Sequence, residues 1–304
     1  MTNVFIDGSA GTTGLRLRER IEGRDDIELT LLPDALRKDP AAKREALNAA
    51  DIVFLCLPDD AARDSVAMIE NPKTCVIDTS TAHRTADGWT YGFPELIGAD
   101  RIAKSTRIAN PGCHASGFIS LVAPLVRAGL LKSSVKLTAF SLTGYTGGGN
   151  KMIAEYEGER PVLYDAPRQY ALGQTHKHIP EMKKVCGLSE SPCFCPIVAD
   201  FPCGMEVTVP LFASDLAGSV DDIKDVYRRT YAGPLVAFND VDEGGFLSAG
   251  AYAGRDSMGL SVYGNEERIL LISRFDNLGK GASGAAIQNM NILLGTSETK
   301  GLVL

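Results

Sequence analysis

Apolar residues in the first third of the chain come in short unbroken runs, separated by stretches where they recur at helical spacing. Residues 3–6 form the first run, which enters Gly8-Ser9-Ala10-Gly11-Thr12-Thr13-Gly14. Leu15, Leu17 and Ile21 then keep a helical spacing as far as Gly23. Residues 27–32 read as a second strand and 39–50 as a helix, with Asp39 as N-cap and Pro40 in its first turn. Residues 51–57 (DIVFLCL) are a buried strand bounded by Pro58, 60–70 a helix, and 75–78 (CVID) another buried strand. Unbroken apolar strands alternating with helices predict a parallel sheet covered on both faces, an α/β doubly wound Rossmann sheet.

The pattern changes after Pro111. Residues 113–129 read as a helix. Beyond it the strands lengthen and alternate, at 135–142, 205–212 and 269–274, as in an antiparallel sheet with one face covered. The stretch 281–294 is rich in small residues and reads as a helix that returns to the first domain. The expected layout is a cofactor domain of residues 1–112 and 281–304, and an α+β mixed-sheet substrate domain of residues 113–280. No repeat, low-complexity segment or flexible linker interrupts it.

Composition narrows the partners. The 304 residues carry a net charge of −7, with acids and bases interspersed, which speaks against nucleic acid and against an anionic membrane surface. No apolar stretch approaches the ~20 residues that span a bilayer. The amino-terminal residues lack the pattern of a secretory signal, so a cytoplasmic location is expected. Seven scattered cysteines, an odd number, fit free thiols in a reducing compartment better than a disulfide framework.

Two stretches carry candidate chemistry. In the G-x-x-G-x-x-G turn, Gly8 permits the tight turn, Gly11 lets the backbone approach a pyrophosphate, and Gly14 lets the helix pack on the sheet. Ser9, Ala10, Thr12 and Thr13 complete the cradle at the helix's positive end. No acid ends the second strand. Arg37 and Lys38 follow it and suit a 2′-phosphate, so NADP is the expected cofactor, with Asp34 as a contrary sign. In Asn110-Pro111-Gly112-Cys113-His114, a turn leads Cys113 into a helix start, where thiolate is stabilised. Cys56 and Cys75 lie in buried strands and read as core residues. His114 adjoins Cys113, but neighbours on a helix point in different directions. His83 reads as a loop residue. His176 and His178 face one side of their segment if it is extended. With no third ligand near, and Cys193 and Cys195 lacking zinc-site spacing, they read as acid–base groups and not as a metal site.

Taken together, the G-x-x-G-x-x-G opening, N-P-G-C-H-A at 110–115 and H-K-H-I-P-E at 176–181 resemble the N-acetyl-gamma-glutamyl-phosphate reductase family. The chain is most similar to the shorter of its two types, within the semialdehyde dehydrogenase superfamily. The resemblance runs from Val4 through Asp276-Asn277-Leu278-Gly279-Lys280-Gly281 to Gln288-Asn289-Met290-Asn291. It implies a homo-oligomeric arginine-biosynthesis enzyme, a dimer or tetramer. Such an enzyme reduces a small acyl phosphate to a semialdehyde with NADPH, releasing phosphate, through a thioester on Cys113. It puts the acid–base role at His176 ahead of His178, a ranking the residues themselves leave open. Glu181 and Tyr170 then fix the orientation of the rings, Asn289 lies at the cofactor, and Asn110 and Gly147 lie at the substrate. The longer type ends a glycine-rich loop in arginine, whereas here residues 144–151 (GYTGGGNK) lack it, so Lys151, loop N–H groups or Arg84 are left to hold phosphate. Aspartate-semialdehyde dehydrogenase and a catalytically inactive NADP-binding sensor are the competing readings.

Overall fold

The computed structural model describes residues 1–240 and 243–304, which divide into two units, Met1–Gly112 with Ala282–Leu302 and Cys113–Gly281 with Val303–Leu304. In the first unit the chain runs β1 (Thr2–Asp7), α1 (Thr12–Ile21), β2 (Ile27–Thr30), α2 (Pro40–Ala49), β3 (Ile52–Leu55), α3 (Asp59–Ala67) and β4 (Cys75–Asp78). It continues through β5 (Thr90–Tyr91), α4 (Pro94–Ile97), α5 (Ala99–Ala103) and β6 (Arg107–Ala109). The six strands are parallel in the order β2-β1-β3-β4-β6-β5, so neighbours in sequence cross over, as in a doubly wound sheet. The unbroken apolar runs are explained by burial on both faces, since Ile52 to Leu55 are all buried. Asp39 caps α2 as expected, its carboxylate accepting from the Ala42 N–H at 2.8 Å.

The second unit holds α6 (Cys113–Arg127), β7 (Thr138–Gly144), α7 (Gly149–Glu157), β8 (Arg168–Gln169), α8 (Ile179–Cys186), β9 (Cys193–Ala199) and β10 (Met205–Phe212). After these come α9 (Val220–Thr230), β11 (Val236–Phe238), β12 (Met258–Gly264) and β13 (Arg268–Phe275). The seven strands order as β11-β12-β13-β10-β7-β9-β8. The sheet is mixed, not antiparallel throughout, because β7 pairs parallel with β9, and β11 with β12. Alternation along one strand reports its covered face but not the direction of its partner. The 15-residue α6 covers one face, and Gly117 permits this, since a Cβ there would lie 2.4 Å from Val207 Cγ2.

The chain returns to the first unit as α10 (Gly284–Leu293), preceded by a π-helical turn at Gly279–Ser283. Ala286, Ile287 and Met290 of α10 join the first unit's apolar cluster with Val4, Ile77 and Ile108. Among the described residues no helix is long and apolar enough to cross a membrane.

Candidate active site

In the first unit a cleft of about 390 Å³ opens at the glycine turn, lined by Asp7 to Gly11, Leu32, Arg37, Lys38, Lys43, Cys56 and Leu57. Its shape depends on missing side chains. Gly8 has φ +89°, and a Cβ there would stand 2.3 Å from the Cys56 carbonyl oxygen. At Gly14 a Cβ would stand 2.3 Å from the Gly8 carbonyl oxygen, so α1 packs directly on the turn. Around Gly11 nothing comes closer than 3.6 Å, which leaves room over the backbone. Thr12 and Thr13 open α1, which has no acid in its first turn and no side-chain cap, so its own residues leave the helix's positive end uncompensated.

Three bases line this cleft, one more than the sequence suggested. Arg37 pairs with Asp34 at 2.7 Å, both well exposed. Lys43, passed over in the sequence, pairs at 3.1 Å with the buried Asp7, which also accepts from Ser65 Oγ at 2.9 Å. Elsewhere in the unit Asn289 Nδ2 donates to Gly92 O at 3.0 Å and to Asn110 Oδ1 at 3.3 Å. Asn289 Oδ1 is buried with no donor among the described residues. Cradle and bases together fit a nicotinamide dinucleotide. Arg84 is spent differently, since its Nε donates to Asn110 O and its Nη2 to Thr79 O, both at 2.9 Å. These bonds make it a clamp on two strand ends, and its availability to a phosphate is correspondingly reduced. His83 lies in a turn, its Nδ1 2.6 Å from the buried Asp78 carboxylate and its ring stacked on Trp89.

In the second unit a pocket of about 250 Å³ is lined by Cys113, His114, Tyr170, His176, Lys177, His178 and the Gly147-Gly148 turn, among others. Cys113 is the first residue of α6, and Gly281 makes room beside it, since a Cβ there would lie 2.9 Å from Cys113 Cβ. The Gly147 turn is held from below by Asn277, whose Nδ2 donates to Thr146 Oγ1 at 3.0 Å and whose Oδ1 accepts from Gly204 N–H at 2.9 Å. Residues 149–157 are a helix where the glycine run suggested a loop, and Lys151 lies exposed on it. Among the described residues that line the pocket, the cation is Lys177.

The histidine segment is not extended. His178 has helical φ and ψ at the N-cap of α8, yet both rings still line the pocket, with centroids 4.7 Å apart. The turn lets the backbone N–H of His178 donate to His176 Nδ1 at 3.1 Å. An imidazole nitrogen that accepts carries no proton, so neutral His176 holds its proton on Nε2. Glu181 is buried in the first turn of α8, three residues beyond His178 and hence on the same helix face.

His114 is the residue that sequence reasoning passed over. Its buried ring joins Ser141 Oγ at 2.6 Å through Nδ1 and Tyr170 Oη at 2.7 Å through Nε2. It lies 5.5 Å from the His176 ring, and Phe194 supports both edge-on. Burial and the neighbouring His176 push His114 down to about 3. Burial, and Cys113 nearby, push the Tyr170 phenol up. The native state thus keeps His114 neutral at pH values where an unfolded chain protonates it. Protonation then favours unfolding, so stability should fall with decreasing pH between about 6.5 and about 3. The slope from this group approaches about 1.4 kcal/mol per pH unit. Denaturant titrations of wild type and His114→Gln across that window should diverge towards neutral pH, and a constant difference would contradict a neutral buried His114.

A nicotinamide-type cleft on a doubly wound sheet, together with a helix-start cysteine among histidines, defines the class: an NAD-binding oxidoreductase of the semialdehyde dehydrogenase kind. Residues 33–105 match the semialdehyde dehydrogenase NAD binding domain, and residues 113–277 match the semialdehyde dehydrogenase dimerisation domain. N-acetyl-gamma-glutamyl-phosphate reductase 2 of Pseudomonas putida is 43% identical, with 98% of each chain covered. The N-acetyl-gamma-glutamyl-phosphate reductase of Rhizobium meliloti is 45% identical, over 96% of this chain and 98% of that one. The chain belongs to the N-acetyl-gamma-glutamyl-phosphate reductase family of the semialdehyde dehydrogenases. Among solved structures, aspartate semialdehyde dehydrogenase II from Vibrio cholerae shares the fold, with a TM-score of 0.73, 14% identity, and 98% and 99% of the two chains covered.

Among the described residues no group of three or more His, Cys, Asp or Glu is placed to hold a metal ion.

Proposed function

We propose that this chain reduces N-acetyl-gamma-glutamyl phosphate to N-acetylglutamate 5-semialdehyde, a step of arginine synthesis, through a thioester on Cys113. The observation that carries the reading is Cys113 at the start of α6, in one pocket with His176, His178 and Tyr170. The helix end favours the thiolate, and His178 takes the proton. The sulfur attacks the acyl carbon, the bond from that carbon to the phosphate oxygen breaks, and phosphate leaves with the proton that His178 returns. A reduced nicotinamide, when bound, supplies the hydride that takes a thioester to the aldehyde level. The carbon–sulfur bond then breaks, thiolate is regained and the semialdehyde departs.

The two histidines divide the work. His176, with Nδ1 held by a backbone N–H, presents Nε2–H as a fixed donor to the reacting oxygen. His178 carries protons, and the Glu181 carboxylate, one turn on along the same face, stabilises its charged form. Lys177 supplies positive charge at the pocket where an anionic substrate enters. The seven free thiols suit a cytoplasmic enzyme, and the span 113–277 is the region through which a dimer or tetramer would assemble.

The decisive assay follows oxidation of N-acetylglutamate semialdehyde with phosphate and NADP. Turnover that needs no phosphate, or equal efficiency on aspartate semialdehyde, would reject the reading. NADP is taken as the cofactor because Arg37, Lys38 and Lys43 line the cleft. Changing Arg37 and Lys38 together to alanine should cut the preference for NADP over NAD by at least about tenfold, since hydrogen bonds between charged groups contribute about 1.5–3 kcal/mol each. An unchanged ratio of kcat/KM for the two cofactors would show that other groups read the 2′-phosphate.

A further inference from the structure

The Ser141–His114–Tyr170 chain plays no part in the thioester chemistry above, yet it runs into the pocket beside Cys113. Its hydrogens follow from satisfaction alone. A neutral imidazole donates from one ring nitrogen and accepts at the other. The Ser141 hydroxyl is fully buried, and among the described residues His114 Nδ1 is its one partner. If Ser141 accepted from Nδ1–H, its own proton would be buried without an acceptor, which costs more than an unused lone pair. Ser141 therefore donates, Nδ1 accepts, and Nε2–H donates to Tyr170 Oη. Tyr170 cannot then spend its own proton on His114. That O–H is left to donate on the side where Tyr170 lines the pocket with Cys113 and His176.

We propose that Tyr170 is a catalytic hydrogen-bond donor to the oxygen of the reacting acyl group, and that His114 and Ser141 are positioning residues that fix the direction of its O–H. Negative charge grows on that oxygen when the thiolate attacks, and a donor aimed beforehand pays no reorganisation at that moment. With His176 Nε2–H it forms a two-sided cradle for the oxyanion. The side chain at 114 thus acts on catalysis through Tyr170.

The proposal rests on the acyl-enzyme reading, so the experiment separates the two. Purified enzyme is mixed with acetyl phosphate, and acetylation of Cys113 is followed by intact mass and peptide mapping, alongside alkylation of the same thiol by iodoacetamide. Alkylation needs the thiolate but develops no oxyanion. A wild-type enzyme that alkylates but never acetylates at Cys113 rejects the acyl-enzyme reading and this proposal with it. With the wild type acetylated, Tyr170→Phe should acetylate, and turn over semialdehyde, roughly 10²-fold more slowly. KM should stay within a few-fold and alkylation should be unchanged. His114→Leu should show a similar loss, and His114→Gln, whose amide restores a donor near the Nε2 position, should recover most of it. Ser141→Ala, a smaller change in the same chain, should lose several-fold. The double variant His114→Leu/Tyr170→Phe should be no slower than Tyr170→Phe alone. A wild-type acetylation rate in Tyr170→Phe, an alkylation rate that falls in step with it, or additive losses in the double variant would overturn the proposal.

Discussion

Serine in place of Cys113 should lower turnover by several orders of magnitude while leaving dinucleotide binding intact. The substitution keeps nearly the same volume, but a hydroxyl at a helix start is barely ionised near neutral pH, whereas a thiol there is readily ionised and polarisable. Dinucleotide binding survives because the glycine cradle belongs to the first unit, whereas Cys113 belongs to the second. Among the described residues no other cysteine combines a helix start with this pocket. Burial pushes the Cys56 thiol up to about 12 and raises that of Cys186, which keeps both protonated. Cys193 and Cys195 are side by side on one strand, and Cys195 is raised by burial and by its neighbour. Intact mass after mixing enzyme with the acyl phosphate and no reduced cofactor should show one adduct, mapping to Cys113. A fully active Cys113→Ser enzyme, or an adduct on Cys186 or Cys203, would be incompatible with the mechanism.

The first unit was legible because burial on both faces writes a parallel strand as an unbroken apolar run. Its errors are instructive. Leu31 and Leu32 continue the second run in sequence but leave the sheet after Thr30, and β5 and β6, of two and three residues, are too short to carry any period. In the second unit β10 was read to its limits from alternation, whereas the parallel pairings of β7 and β11 depend on distant partners that no local pattern records. The candidate site was legible where a turn places its residues, as Gly8 and Cys113 line the two clefts. It was less so where the backbone itself does the work. Three glycines in 147–149 read as a loop, but α7 begins at Gly149. His114 is hidden from a sequence reading because successive residues of a helix diverge. At the first turn of α6, however, the pocket wraps around the helix end, and Cys113 and His114 both line it. A histidine directly after the candidate nucleophile, in a chain with four histidines, was the available signal.

The ranking of the two histidines in the H-x-H segment is where the proposed mechanism differs most from the family-based expectation, and it predicts distinguishable losses. Acid–base exchange requires a ring nitrogen that can gain and lose a proton without clashing with a fixed donor. On His176 the backbone N–H of His178 already occupies Nδ1, so an imidazolium there would set two N–H groups against each other. His178 stands at the N-cap of α8, and Glu181 lies one turn along the same helix face. His178→Asn should therefore slow turnover by about 10²–10⁴-fold, the usual range for a general acid–base group, and should remove the limb of the pH–rate profile that reports the proton carrier. Glu181→Gln should give a smaller loss and move that limb to lower pH, because an imidazolium without its carboxylate releases its proton more readily. His176→Asn should also slow turnover, by about 10²–10³-fold as for one lost oxyanion donor, but with the limb still present. Profiles of kcat/KM against pH for the three variants decide the matter. If His176→Asn is the variant that loses the limb while His178→Asn keeps it, the roles are exchanged and the bond to Nδ1 does not persist in the working enzyme.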